Sequence, residues 1–115
     1  MDSILTSIKK LLGIEEECTD FDGEIIVHIN SVFMTLKQIA VGPKEGFYIE
    51  DETKTWGDYI NDPEELQAVK SYMYLKVRLL FDPPQSSAVM ESMNRQASEF
   101  EWRLNMDADV EDTTS

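Results

Sequence analysis

The sequence predicts a mainly α-helical protein, a compact bundle of about four helices with a short β-hairpin or an ordered loop between helices 2 and 3. Three observations support this fold class. Apolar residues recur at helical spacing in four segments, helix start and stop signals bound those segments, and one short aromatic stretch departs from the pattern. A length of 115 residues allows one modest core, so we expect a single helical domain over residues 1–105.

The first helix is predicted from a single apolar face near the start of the chain. Asp2 or Ser3 can cap it, and Gly13 can end it. The residues of this face are Ile4, Leu5, Ile8, Leu11 and Leu12. Because the helix is short and the chain is acidic, we expect it to belong to the core or to a docking contact rather than to a membrane surface.

The second helix follows an acidic link, Glu15-Glu16-Glu17, and Asp20 or Asp22 can cap it. Its main apolar face continues until Gly42 and Pro43 end the helix. That face consists of Ile25, Ile29, Val32, Phe33, Leu36, Ile39 and Ala40. A lesser apolar stripe on the opposite side consists of Val27, Met34 and Val41. We therefore expect the second helix to make contacts on two faces.

The segment from Gly46 to Tyr59 does not follow helical spacing. Aromatic stretches around Phe47 and Tyr48 and around Trp56 flank polar residues, which is typical of a short hairpin or an ordered loop. Two isolated strands are marginally stable, so this segment must pack on the helices or on a partner. An aromatic loop is often a contact surface, and the alternative is a flap that covers one end of the core. Phe47, Tyr48 and Trp56 are therefore candidate interface residues.

The third helix is predicted to be central. Asp62 as a cap and Pro63 at the first helical position mark its start, and it is expected to end near Phe81. Its apolar residues cover more than half of the circumference. They are Leu66, Ala68, Val69, Tyr72, Met73, Leu75, Val77, Leu79 and Leu80.

The fourth helix follows a corner formed by Asp82-Pro83-Pro84. Ser86 or Ser87 can cap it, and it is predicted to reach about Asn105. Its inward face is predicted to consist of Val89, Met90, Met93, Ala97, Phe100 and Leu104. The segment 106–115 reads MDADVEDTTS, and we expect it to form a disordered acidic tail.

The charge balance narrows the classes of function. With 23 acidic and 10 basic residues, the formal net charge of −13 opposes binding to nucleic acid and to anionic membranes. Acidity can instead serve docking onto a basic protein, a passage through which DNA slides without sticking, or solubility alone. No run is long and apolar enough to span a membrane, and no signal peptide is apparent. The lone Cys18 favours a reducing compartment.

No set of residues predicts catalysis, a cofactor or a metal. His28 is the only histidine, and it falls at the edge of an apolar arc, where a structural role is commoner than a catalytic one. A zinc site needs clustered nitrogen and sulfur ligands, and Cys18 is not part of such a cluster. The chain has no glycine-rich phosphate loop, and EDETKTWGD lacks the register of a calcium loop. We expect a protein that is not an enzyme.

Four side chains on the last two helices complete the candidate interface. Lys76 points into the apolar arc of the third helix, so it either extends its stem along apolar surface or pairs with a carboxylate. Arg78 lies on the polar face, where it is either solvated or bound to a carboxylate. Trp102 points away from the core side of the fourth helix, on the side of Arg95. Such a tryptophan anchors a partner or is covered by the tail or the hairpin.

Several stretches of the chain are similar to a known family. LKVRLLFDPPQSSAVMESMNRQASEFEWRLN, with SIKKLLGI and FDGEIIVHIN, resembles the small head–tail connector (adaptor) proteins of tailed bacteriophages and prophages over about Ile4 to Asn105. The resemblance implies a small helical fold that assembles as a ring of about twelve subunits beneath the portal. The ring would extend the channel through which DNA leaves the capsid, and an acidic wall would let DNA pass without specific binding.

The leading hypothesis is therefore a structural virion protein at the head–tail junction, assembled in the host cytoplasm. Its partners would be further copies, the portal protein, and tail or head-completion proteins. Trp102 and the loop around Trp56 would be the anchors, with Arg78 and Arg95 supplying pairs between subunits or towards the portal. The alternative is a monomeric acidic binding protein, such as a DNA mimic that occupies the basic groove of a nuclease or repressor.

Overall fold

The computed structural model describes the backbone of residues 3–114 and the side chains of residues 3–106. Regular secondary structure in these residues is entirely helical, so the predicted mainly α fold is confirmed. The helices are α1 (Ile4–Leu11), α2 (Asp22–Gln38), the single turn α3 (Trp56–Tyr59), α4 (Pro63–Phe81) and α5 (Ser87–Thr114). No helix in the described part of the chain is long and apolar enough to cross a membrane.

Three of the predicted helix starts are confirmed by cap hydrogen bonds. Ser3 Oγ accepts a bond of 3.2 Å from the backbone N–H of residue 6. Asp62 Oδ1 accepts from the backbone N–H groups of residues 64 and 65 at 3.0 and 3.4 Å. Ser86 Oγ accepts from the N–H of residue 89 at 3.3 Å. Each bond satisfies a donor that the first helical turn would otherwise leave without a partner.

The start and end of α2 differ from the prediction. Phe21 occupies the cap position without a side-chain bond, because the Asp22 carboxylate turns instead to Lys9 Nζ at 2.9 Å. The helix ends at Gln38, before Gly42, because Ala40 adopts a left-handed conformation with φ of 66°. The chain reverses there, and the N–H of Val41 bonds to the carbonyl of residue 36 at 2.8 Å. Val41 is buried and is therefore not part of the outer stripe of α2.

Helix α4 packs against both α2 and α5, as the prediction of a central helix requires. Phe21 at the start of α2 meets Phe81 at the end of α4, with ring centroids 5.5 Å apart, so these two helices run in opposite directions. The short corner after Phe81 also makes α5 antiparallel to α4. At the other end of α2, Asn105 Nδ2 donates to the carbonyl of Ile39 at 3.5 Å. Helices α2 and α5 therefore run in the same direction.

The core lies between these helices and agrees with most of the predicted apolar faces. Its fully covered apolar side chains are Ile4, Leu5, Ile8, Ile25, Ile29, Val32, Phe33, Leu36, Val41, Ile49, Trp56, Tyr59, Val69, Tyr72, Met73, Leu75, Val77, Ala97 and Leu104. The prediction was wrong for Ala40, which is exposed beyond the end of α2, and for Leu11, Leu80 and Val89, which are about half exposed. Each of the last three lies near the end of its helix, where the neighbouring helices no longer cover it.

The segment between α2 and α4 is an ordered loop with one helical turn rather than a hairpin. The Asn30 side chain takes the place of a partner strand: its Oδ1 accepts from the N–H of Ile49 at 2.8 Å, and its Nδ2 donates to the carbonyl of Ile49 at 2.9 Å. The Thr55 and Asp58 side chains then form a capping box that begins α3. A single bridge joins Ser3 to Thr55. Both alternatives for this segment were open in the sequence, and the loop is observed.

Helix α5 extends further than the sequence suggested. It runs to Thr114 rather than ending near Asn105, since residues 87–114 contain neither glycine nor proline to stop it. The predicted disordered tail, 106–115, falls almost entirely on positions whose side chains lie outside the described residues. Its disorder, and the domain boundary placed at residue 105, stay predictions.

Candidate interaction surfaces

The outer face of α5 presents the most exposed tryptophan of the chain. Trp102 is 65% exposed, so the prediction that it points away from the core is confirmed. It lines a groove of about 270 Å³ with Ile39, Ser98, Glu101 and Asn105. The floor of this groove is fixed, because the hydroxyl of Tyr72 donates to Glu101 Oε2 at 2.8 Å. A rigid helix therefore displays a large amphipathic ring beside a partly polar groove.

Arg95 lies on the same side of α5 as Trp102. It is exposed and forms no ion pair with any described residue. The two positions are seven residues apart, which places them about 20° apart around the helix and about 10 Å apart along it. Cation and tryptophan thus form one continuous surface, as the sequence predicted.

The outer face of α2 carries a second exposed apolar surface. Val27 is 64% exposed and Met34 is 65% exposed, so two of the three residues predicted for the lesser stripe are confirmed there. On the opposite side of the helix, Ile25, Ile29 and Phe33 are buried. Helix α2 thus has one apolar face inside the subunit and another that no described residue covers.

The aromatic loop divides between the core and the surface. Trp56 is only 1% exposed, and its indole N–H donates to Ser7 Oγ at 2.8 Å, so it is not available to a partner in this conformation. Phe47 is half-buried against Phe33, with centroids 5.1 Å apart. Tyr48 is exposed, and Lys54 Nζ lies 4.9 Å from its ring centroid. The arrangement fits a flap over the core, with only Tyr48 displayed.

The two cations predicted on α4 have local environments that differ. Lys76 is half-buried and has no ion pair with a described residue, which favours an aliphatic stem lying along apolar surface. Arg78 Nε donates to the carbonyl of Asp82, while the N–H of Asp82 bonds back to the carbonyl of Arg78 at 3.0 Å. Arg78 therefore closes the C-terminal end of α4 and fixes the corner to α5, a role that the sequence analysis did not assign.

A buried lysine is the main feature that sequence reasoning missed. Lys9 is only 3% exposed, and its ammonium donates to the carbonyls of Glu16 at 3.0 Å and Cys18 at 2.7 Å. It also pairs with Asp22 at 2.9 Å. Lys9 lies about 40° from Leu5 around α1, at the edge of the predicted apolar face. This position is the signal in the sequence for its burial. The lysine holds the acidic link between α1 and α2.

The described residues offer little that suggests chemistry. No group of three or more His, Cys, Asp and Glu side chains among them could hold a metal ion. His28 Nε2 lies 3.7 Å from Glu24 Oε1, beyond hydrogen-bonding distance. The grooves along α1 are lined mainly by the ends of surface side chains, for example Thr6, Lys10, Glu15 and Glu16 around one of about 350 Å³.

Comparison with known proteins places the chain in a class of protein. The family described as "Phage connector protein" matches residues 4–111, which is nearly the whole chain. No curated protein and no solved structure gives a significant match. The matched range includes both exposed helical faces and the fixed corner between α4 and α5. The chain belongs to the phage connector protein family, the structural proteins that join the head of a phage to its tail.

Proposed function

We propose that this connector protein assembles as a closed ring of about twelve copies beneath the portal and extends the channel through which DNA leaves the capsid. As a structural component of the virion, it would contact its own copies, the portal protein, and tail or head-completion proteins. Assembly of the subunits would take place in the host cytoplasm. No catalytic step is part of this function.

Exposure of Trp102 is the observation that carries the proposal. A tryptophan can bury 150–250 Å², and about two thirds of that area is open on this helix. At about 25 cal/mol per Å², covering it would contribute roughly 2–4 kcal/mol to a contact. That value is typical of the residues that dominate protein–protein interfaces. Because Val27 and Met34 add apolar surface on a second helix, the subunit has two surfaces to offer, which a ring requires.

The net charge of −13 fits a channel that DNA must pass through. A wall of carboxylates repels phosphates, so ionic contacts do not retain the DNA as they would on a basic surface. Few basic side chains are available to bind DNA phosphates, and two of them, Lys9 and Arg78, are already bound to carbonyls of their own chain. The same charge keeps free subunits apart before they assemble.

The test is the assembly state of the purified chain, alone and with its portal protein. Light scattering on a size-exclusion column across a concentration series, with negative-stain images of the heaviest fraction, should give annular particles with an axial hole. Trp102→Ala should reduce ring formation while the helical circular dichroism is unchanged. Leu80→Ala, which removes another large exposed apolar side chain, is the matched control and should assemble normally.

A chain that stays monomeric both alone and with the portal would contradict the proposal. Tight, salt-sensitive binding of that monomer to a basic DNA-binding protein would instead support a DNA mimic. Loss of helicity in the Trp102→Ala variant would show that Trp102 supports the subunit fold and is not an assembly residue.

A further inference from the structure

The outer face of α2 is an exposed stripe without charge on a strongly acidic chain. Within about 40° of Val27 around the helix lie Gly23, Ser31, Met34 and Gln38, and all five are exposed. Ser31 is small and sits between the two apolar side chains, so it forms a notch between Val27 and Met34. A chain of net charge −13 has few places where copies can approach without bringing carboxylates together, and this stripe is one.

The outer face of α5 matches this stripe in spacing. Arg95 and Trp102 are seven residues apart, and on α2 Glu24 and Ser31 are also seven residues apart. Each pair therefore spans about 10 Å along its helix and lies within about 20° around it. A helix laid in parallel with Trp102 at the Ser31 notch brings Arg95 to Glu24. In the opposite direction Arg95 would instead reach Gln38, which offers it no charge.

We propose that Trp102 of one copy packs into the notch at Ser31 on α2 of the next copy, and that Arg95 pairs with Glu24 across the same contact. The occupant of the α2 stripe is thus a second copy of this chain. The inference rests on the proposed ring and names the surfaces that form it. Glu24 is accessible for this pairing, since its side chain is 57% exposed.

The subunit geometry allows such a contact to repeat around an axis. Helix α4 lies between α2 and α5, so their outer faces point to opposite sides of the subunit. The Phe21–Phe81 contact and the bond from Asn105 to Ile39 show that α2 and α5 run in the same direction. Rotation about a ring axis preserves direction along that axis, so the α5 of one copy can lie parallel to the α2 of the next.

Charge reversal tests the pairing. Arg95→Glu and Glu24→Arg should each lower the fraction of chain in rings at least about tenfold, because each places like charges together. An equimolar mixture of the two variants should restore rings, since alternating copies bring opposite charges to every contact. The chain with both substitutions should also assemble. Arg103→Glu, a reversal about 80° away from Arg95 around α5, is the matched control and should have a much smaller effect.

Cysteine cross-linking tests the register without altering charge. In a Cys18→Ser background, the proposed contact places Ser98 beside Val27, so Val27→Cys with Ser98→Cys should give a ladder of covalent multimers on oxidation. Val27→Cys with Ala88→Cys is the control, because Ala88 lies about 15 Å further along α5. It should give little product.

The outcomes separate this inference from the proposed ring. Rings of the unmodified chain with no rescue in the mixture, or with equal cross-linking of both cysteine pairs, would overturn the Trp102–Ser31 contact and leave the ring intact. If the unmodified chain forms no rings alone or with its portal, the proposed function itself fails. Rescue together with selective cross-linking would support both.

Discussion

Replacing Lys9 by methionine tests how far one buried cation supports the subunit. The substitution keeps the length of the side chain and removes the ammonium, which now bonds to two carbonyls and to Asp22. Removing one partner of a fully buried ion pair costs about 3–5 kcal/mol. The Asp22 side chain is 25% exposed, so water compensates part of this loss. We expect Lys9→Met to lower the free energy of unfolding by about 2–4 kcal/mol.

Urea unfolding of the monomeric chain, followed by circular dichroism, measures this loss. With a slope of about 1.5 kcal/mol per molar urea, the midpoint should fall by roughly 1.3–2.7 M. Lys10→Met is the matched control, because Lys10 is the exposed neighbour on the same helix, and it should move the midpoint by less than about 0.3 M. A loss below about 1 kcal/mol for Lys9→Met would refute the view that the ammonium holds the acidic link.

Three further predictions concern the interior. Tyr72→Phe removes the bond to Glu101 and should cost about 1–2 kcal/mol in urea unfolding. Burial raises the pKa of Tyr72 and of Tyr59 above the usual value of 10.0. The unfolded chain therefore loses these protons first, and melting temperatures should fall as the pH rises above about 10, with a weaker fall in Tyr72→Phe. Gly42→Ala should lower the melting temperature strongly, because φ is +85° and a Cβ would lie 2.6 Å from the Tyr59 ring; Gly23→Ala meets open space and should not.

Local signals in the sequence were sufficient for the starts of three helices. Ser3, Asp62 and Ser86 cap these helices as predicted, because a cap depends on residues two or three positions apart. The exposure of Trp102 also followed from helical spacing alone, since its helix has a single apolar face. Where the environment of a residue depends on its own helix alone, the spacing of apolar residues was enough to predict it.

Features that depend on contacts distant in the sequence were not predictable in the same way. Asn30 fixes Ile49 across 19 residues, and no local pattern shows that an amide will replace a strand. Trp56 looked like a displayed aromatic residue, yet it is buried because α1 supplies Ser7 as a partner for its indole N–H. The prediction of burial failed at helix ends for a related reason. Leu80 continues an apolar stripe in the sequence, but it lies beyond the reach of the elements that cover that stripe.

The stability of this subunit rests on buried residues, whereas the proposed assembly would use exposed ones. Lys9 and Tyr72 hold the fold from inside, whereas Val27, Met34 and Trp102 contribute little to it because they face solvent. Large exposed apolar groups would promote aggregation, and a charge of −13 opposes this by repulsion between free copies. Salt screens that repulsion over about 8–10 Å but leaves apolar contacts intact. Salt also screens the proposed Arg95–Glu24 pair, but that is one attraction set against the repulsion between copies that each carry a charge of −13. Ring formation should therefore increase as salt is raised, whereas the binding of an acidic DNA mimic to a basic groove would weaken.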